Sequence, residues 1–507
     1  MLQPGTFRTL RLVKFLPEHG WRPVVVAVDR ATIPSYVLCD EALLAHVAPE
    51  TPVIRAPVLR PYDTAVQWVK SGWYRAVHAP PFDSEPPQDP GPSPPGTGSA
   101  GIAAGKPAIL DRAAADGQSS NRPRLRGLAL RSQRWRNACW SRFERVRDRL
   151  FYTPDTEVGW FRPAVAAGML AIKQYRPAVI YVSAPPHSAH RVGVELKRRT
   201  GLPLVLDLRD PWARLPWQSD ESDSSLRRLI QHLESDCVRA ADRVILNTEH
   251  ALHDFRAYYR DLPRERFLTI SNGYDPEVLT QVAHVRKADS DRQPKTAGGC
   301  EIARTDPASL TRTIRLCHAG GVYGKRDLRP FLHAIARAND LSKAKAADAD
   351  PTHAKFFFHQ VGHVDQLPEI QALIEARRLG EHVEFEVPVP HAQALERLHA
   401  ADVLVVLQTG TSLQLPSKIF EMILFGKPIL ALAPPGATAD LVRKYQLGEV
   451  ADAESVDDIL RALGRLSSFQ NFDQHHAGWQ AALRDFHGGQ LVEKFAELFD
   501  GVRRVRK

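Results

Sequence analysis

The chain has 507 residues, 43% hydrophobic and 25% charged, with 67 Lys+Arg against 58 Asp+Glu for a formal net charge of +9. That length suggests two to four domains, and the composition excludes a collagen-like or wholly disordered chain. Five scattered cysteines (Cys39, Cys139, Cys237, Cys300 and Cys317) without a CxxC pair fit a reducing compartment better than a disulfide framework and give no readable zinc site.

A helix is predicted after Gln3-Pro4-Gly5, with Phe7, Leu10, Leu12, Val13, Phe15 and Leu16 at helical spacing. Gly20 ends it, and Pro23–Val28 reads as a buried strand. This is the second half of a βαβ unit whose opening strand is not seen, although in a doubly wound sheet the first strand is central. The expectation is that the true start lies upstream, or that this version is unstable or inactive.

Residues from about 79 to 121 are rich in Pro, Gly, Ser and Ala and read as a disordered insert. The following segment, Arg122 to Leu150, carries ten arginines against Glu144 and Asp148, a net of +8, interleaved with Trp135, Trp140 and Phe143. It reads as a basic helical stretch holding nearly all the excess charge. From Pro163 an α/β rhythm sets in: a helix over Ala164–Gln174, a strand over Ala178–Val182, a loop to His187, a helix to Arg199, and strands at Leu204–Leu208, Arg243–Asn247 and Phe267–Ile270. A second set begins at Ile314–His318 and continues through strands Lys355–Gln360, Val383–Val387, Val403–Leu407 and Ile429–Leu432. The domains expected are therefore 1–281, a linker at 282–312, 313–470, and carboxy-terminal helices over 471–507 that pack back toward the first domain.

Two doubly wound domains bring the carboxyl ends of both sheets to one cleft, where loops and helix amino-termini suit a ligand with phosphates. Three groups of residues fall at such strand ends. In the run from His318 to Asp327, Gly320, Gly321 and Gly324 let a ligand approach the backbone, and Lys325 and Arg326 can neutralise a diphosphate. A surface turn with two solvated cations is the alternative. Further on, Pro416 presets a helix start, Ser417 can cap it, Lys418 adds a cation, and Glu421 stands one turn in, where it can accept from a ribose diol. A plain capped helix is the alternative. After Leu204–Leu208, Asp207 and Asp210 flank Arg209, and Trp212 can stack on a sugar ring; the alternative is a structural ion-pair network. His187 and His190 either reach the cleft or are ordinary structural histidines.

Taken in order, FRTLRLVKFLPEHGWRPVVVAV, FYTPDTEVGW, YVSAPPHSAH, GLPLVLDLRDPW, ADRVILNTE, ISNGYD, HAGGVYGKRDLRPFL and LPSKIFEMILFGKPILAL resemble glycosyltransferase family 4, in the flavour of bacterial enzymes that build cell-surface polysaccharides. The resemblance implies an α/β protein of the GT-B fold, two Rossmann-like doubly wound domains facing a cleft. It implies retaining transfer of a sugar from a nucleotide diphosphate sugar to a hydroxyl of a glycan or polyprenyl-linked acceptor. On that reading Gly320, Gly321, Lys325, Arg326, Ser417, Lys418 and Glu421 bind the donor, Gly5, Arg8, Asp207 and Trp212 lie on the acceptor side, and Asp210, Arg209 and His187 are the catalytic candidates. Leu413 stands where the family has the first of its paired glutamates, and Arg209 where many relatives have a catalytic histidine. The departing phosphate oxygen can itself take the acceptor proton, with the cations stabilising the charge that builds there. No cofactor beyond the donor and no metal are expected.

Two other readings stand beside this one: a non-catalytic basic protein that binds a membrane or nucleic acid, and a nucleotide-sugar epimerase on the same fold. No apolar run reaches the ~18 residues of a spanning helix and no secretory leader is visible. The expected location is therefore cytoplasmic, peripheral on the inner face of the membrane through Arg122–Leu150, with no nucleic-acid partner.

Overall fold

The computed structural model describes residues 4–34, 47–60, 153–214, 224–275, 277–278, 280, 312–346, 354–467 and 476–504. The expected insert, the basic segment 122–150 and the linker up to residue 311 lie outside them.

Helix α1 (Pro4–Phe15) buries Leu10, Leu12 and Val13 and leads to strand β1 (Val25–Val28). That strand pairs in parallel with β2 (Val53–Ala56), from Val25 opposite Val53 to Val28 opposite Ala56. Helix α2 (Phe161–Tyr175) packs against both strands. A separate parallel sheet follows, β3 (Ile180–Ala184), β4 (Leu204–Leu208), β5 (Arg243–Leu246) and β6 (Phe267–Thr269), neighbours in that order. Its crossovers are α3 (Ser188–Thr200), α4 (Ser224–Ala240) and α5 (Glu249–Tyr258). Gly201 ends α3 at φ +67°, a left-handed cap that glycine adopts without a Cβ penalty. All five residues of β4 are buried, as a parallel strand covered on both faces requires.

The second sheet has six parallel strands in the order β12-β11-β10-β7-β8-β9. These are β7 (Arg312–Ala319), β8 (Ala354–Val361), β9 (Val383–Glu386), β10 (Val403–Leu407), β11 (Ile429–Leu432) and β12 (Gly448–Ala451). Helices α6 (Arg329–Ala346), α7 (Leu367–Ala376), α8 (His391–Ala400), α9 (Lys418–Ile423), α10 (Ala437–Lys444) and α11 (Val456–Ser467) intervene or follow. Side chains alternate across the sheet: Leu316 and Val405 pack with Phe331 and Ile459, whereas Cys317 and Val406 pack with Phe420 and Val442.

The last helices are α12 (Ala477–Asp485) and α13 (Gly488–Arg504). Trp479 of α12 joins the second domain's core, while Val492, Phe495 and Phe499 of α13 pack with Leu12, Val205 and Ile245 of the first. The junction is made by Tyr274, whose hydroxyl donates to Leu483 O at 2.8 Å.

Differences from the sequence expectation are local. Ser183 and Ala184, read as loop, extend β3 because they pair with Asp207 and Leu208. Strands β2 and β12 were not read; both are four residues long with largely part-exposed side chains, so neither carries an apolar run. Cys237 and Cys317 are free thiols in the cores, each pushed up to about 12 by burial.

Candidate active site

Asp207, near the carboxyl end of β4, is fully buried and is paired with Arg8 of α1. Arg8 Nε donates to Oδ2 at 2.7 Å and Nη2 to Oδ1 at 2.9 Å, while Tyr181 Oη and Ser183 Oγ donate to Oδ2 at 2.5 and 3.0 Å. The rest of the Arg8 fork donates to Ile270 O, Ser271 O and Asn272 Oδ1. Burial, the largest single influence, pulls the Arg8 pKa down, but Asp207 and Tyr181 together outweigh it and the net shift is upward. Arg8 and Asp207, expected on the acceptor side, are therefore a core ion pair whose polar valences are taken up within the protein. Gly5 is the second residue of α1, not part of a loop in the cleft.

Trp212 likewise departs from its expected place. It is 1% exposed, and the His187 ring lies flat on it, 4.7 Å between centroids at 4°. A sugar cannot reach that face. Burial, with the nearby charges of His190 and Arg209, holds His187 neutral well below the usual range, and its ring packs on Trp212. His190 is fully buried against Asp207 O at 3.3 Å, its pKa lowered by burial to about 4.

Asp210 does face the second domain. It accepts a hydrogen bond from Gln414 Nε2 at 2.7 Å. Burial raises its pKa, opposed by Arg209, by the Gln414 bond and by Arg326 across the cleft. Arg209 is anchored by donating to Pro185 O at 2.5 Å. Thr248, which caps α5, donates to Leu413 O at 2.6 Å, so both Leu413 and Gln414 are held by the first domain.

On the second domain, Gly320 follows β7, and a Cβ there would strike the Lys418 ammonium. Lys418 reaches back over the sheet end to donate to Ala319 O at 2.5 Å. Desolvation lowers its pKa, Glu421 opposes the shift, and Arg326 adds to it. Arg326 lies over the Tyr323 ring at 4.5 Å and donates to Gly321 O at 3.3 Å. Lys325 is on the exposed turn, its carbonyl accepting from Thr409 Oγ1 at 2.9 Å. His318 is held by Gln360 Oε1 at 2.7 Å, and burial lowers its pKa to about 3. Ser417 does not cap α9: its own backbone is already helical (φ −57°, ψ −27°), which is not the extended cap geometry that aims an oxygen at the first amides.

Three residues were missed in the sequence. Gln414 is the partner of Asp210, His391 Nε2 lies 3.1 Å from Glu421 Oε2, and Arg11 is buried beside Arg8. Burial and then Arg8 pull Arg11 down to about 10, with Asp275 and Glu421 opposing. None stands at a spacing that marks it; each acquires its place from a tertiary contact. Among the described residues no three His, Cys, Asp or Glu side chains gather as metal ligands, and no helix is long and apolar enough to cross a membrane.

Two family models match the chain: Glycosyl transferase 4-like domain over residues 112–273, and Glycosyl transferases group 1 over residues 331–477. Among solved structures, sucrose-phosphate synthase from Thermosynechococcus elongatus is 14% identical with a TM-score of 0.50, over 69% of this chain and 79% of that one. HepE from Anabaena, in complex with UDP and glucose, is 18% identical with a TM-score of 0.47, over 67% of this chain and 81% of that one. At 14% identity the likeness to the synthase is one of fold. No curated protein was matched.

Proposed function

Because this chain is a glycosyltransferase of the GT-B fold, with a 4-like first domain and a group 1 second domain, we propose that it moves a sugar from a nucleoside diphosphate sugar to a hydroxyl of a glycan or lipid-linked acceptor, with retained anomeric configuration, in the making of surface polysaccharide. The observation that carries this reading is the meeting of Lys418 and Arg326 at the carboxyl end of the second sheet, opposite Asp210. Burial of the Lys418 ammonium lowers its pKa, and Arg326 adds a smaller repulsion to that cost. A diphosphate removes the repulsion and supplies acceptors for both.

Arg326 then exchanges the distant carboxylate of Asp210 for a phosphate oxygen. As the bond from C1 to the diphosphate oxygen breaks, Lys418 and Arg326 stabilise the charge left on that oxygen. The acceptor oxygen forms its bond to C1 on the same face, and its proton passes to the departing phosphate oxygen. The products are the new glycoside and a nucleoside diphosphate. Glu421, with His391, is the ribose contact in this scheme. Asp210 and Arg209 hold the first domain's edge of the cleft through Gln414 and Pro185.

In the same proposal the basic segment from Arg122 to Leu150 rests on an anionic membrane, where a lipid-linked acceptor is met. The test is transfer from a panel of nucleotide sugars to a polyprenyl-diphosphate-linked glycan, with the anomeric coupling of donor and product compared by NMR. Labelled glycoside of unchanged configuration is expected. Inverted product, or an epimerised nucleotide sugar formed without acceptor, contradicts the reading.

A further inference from the structure

The backbone groups of the loop after β7 are nearly all claimed within the protein, as buried or half-buried amides and carbonyls require. Ala319 O accepts from Lys418 Nζ at 2.5 Å, and Gly320 N–H donates to Val361 O at 2.7 Å. Gly320 O accepts from Gln360 Nε2 at 2.7 Å, and Gly321 O from Arg326 Nη1 at 3.3 Å. Val322 N–H donates to His363 O at 2.8 Å, and Val322 O accepts from Asp365 N–H at 3.0 Å. Within this run only the Gly321 N–H meets no acceptor among the described residues. It stands between the two carbonyls that hold Lys418 and Arg326.

The direction of that N–H is set from behind. A trans peptide points its C=O and the following N–H opposite ways, so with Gly320 O aimed at Gln360 the Gly321 N–H points away from it. Gln360 is fully buried in β8, directly opposite His318 in the ladder with β7, so the two side chains share one face of the sheet. Gly320 O can only accept, which commits the amide nitrogen of Gln360 to it and leaves Oε1 to accept from His318 Nδ1–H at 2.7 Å. His318 thereby keeps the Gln360 amide from flipping. Gly362 completes the support: its φ is +130°, and a Cβ there would lie 2.6 Å from Gly320 O. Burying a glutamine and a histidine to hold one glycine carbonyl costs desolvation that an apolar pair avoids.

We propose that the Gly321 N–H is a third donor to the diphosphate, and that Gln360 and His318 are positioning residues that aim it. This rests on the reading of Lys418 and Arg326 as the donor site. A phosphate oxygen arriving between the two cations meets an N–H already oriented, so no ordering cost falls on binding. Without Gln360 the peptide is free to turn over and present its carbonyl to the anion.

The test is titration of UDP, GDP and inorganic pyrophosphate into the full chain, with the Gly321 amide followed by NMR on isotope-labelled glycine and assigned by its loss in Gly321→Ala. In wild type the amide proton should move downfield on binding. Gln360→Leu should abolish that movement and weaken diphosphate binding about tenfold, while the matching monophosphate keeps its affinity within about twofold. Gln360→Met, closer in shape and equally unable to donate, gives the same reading should the leucine variant fail to fold. His318→Leu should lose about threefold, and His318→Asn, whose amide can still donate to Gln360, should restore wild-type affinity. Diphosphate binding that leaves the Gly321 amide unmoved, or Gln360 variants that bind as wild type does, overturns this inference alone. So does equal loss of monophosphate and diphosphate, which would make Gln360 a structural residue only. If wild type binds none of the three ligands, the donor reading itself falls and this inference with it.

Discussion

Asp210 of the first domain accepts a hydrogen bond from Gln414 of the second, 2.7 Å away, and through this contact the segment leading into Lys418 is held from across the cleft. Thr248 holds the neighbouring carbonyl of Leu413. The position of Lys418, the lysine proposed to hold the diphosphate, is thus set partly by the opposite domain.

Replacing Gln414 by Leu should lower kcat/KM about tenfold or more, since a hydrogen bond to a charged group contributes roughly 1.5–3 kcal/mol. Asp210→Asn keeps an acceptor for Gln414 and should lose much less. Steady-state transfer kinetics decide: equal, severe loss in both variants would make the charge of Asp210, not its bond to Gln414, the important property.

The Arg8–Asp207 pair predicts a stability effect without a direct catalytic one. Arg8→Met strands a carboxylate in the core beside Tyr181, and removing one partner of a buried pair costs about 3–5 kcal/mol. Adding Asp207→Leu should recover most of that loss in urea unfolding. A single variant within about 1 kcal/mol of wild type would contradict the packing described here.

Acid should weaken the fold before the carboxylates titrate. His190 and His318 are held neutral, with pKa values near 4 and 3, whereas the unfolded chain protonates each near its ordinary ~6.5. Protons therefore favour unfolding: this stability is fully present above ~6.5 and falls as pH drops toward 4 and then 3, by at most about 1.4 kcal/mol per pH unit for each histidine. Urea midpoints between pH 7 and 5 should show the slope, and His318→Asn, whose amide can still meet Gln360, should make it shallower. An unchanged slope would mean that His318 titrates normally.

The surplus charge gives a prediction of another kind. Neutralising Arg134, Arg136 and Arg142 by Gln should reduce co-sedimentation with phosphatidylglycerol liposomes severalfold at low salt, at roughly 1 kcal/mol per cation near an anionic surface. Unchanged binding would leave the +9 as ordinary surface charge.

Elements with strong apolar runs were legible in the sequence: Leu204–Leu208 and Val403–Leu407 appear as strands with the bounds their composition predicts. Lys418 was legible as a candidate, a lysine just after a Pro-Ser helix start between two buried strands, but its bond to Ala319 O was not. What was not legible depends on distance along the chain. Asp207 looked like a cleft carboxylate until Arg8, 199 residues away, was found to occupy it. Trp212 looked available for a sugar because its stacking partner, His187, lies on another loop. Gln414 and His391 were passed over because neither residue type carries a cue until its partner is in place.

The most direct test of the proposed donor site is calorimetric titration of UDP- and GDP-sugars, and of the matching diphosphates and monophosphates, into wild type and into Lys418→Ala and Arg326→Ala. If two cations hold the diphosphate, the diphosphate should bind wild type far more tightly than the monophosphate. Each variant should then lose about tenfold to a hundredfold for the diphosphate and little for the monophosphate, as expected for one charge-assisted contact of roughly 1.5–3 kcal/mol. Diphosphate affinity that neither substitution changes would contradict the account.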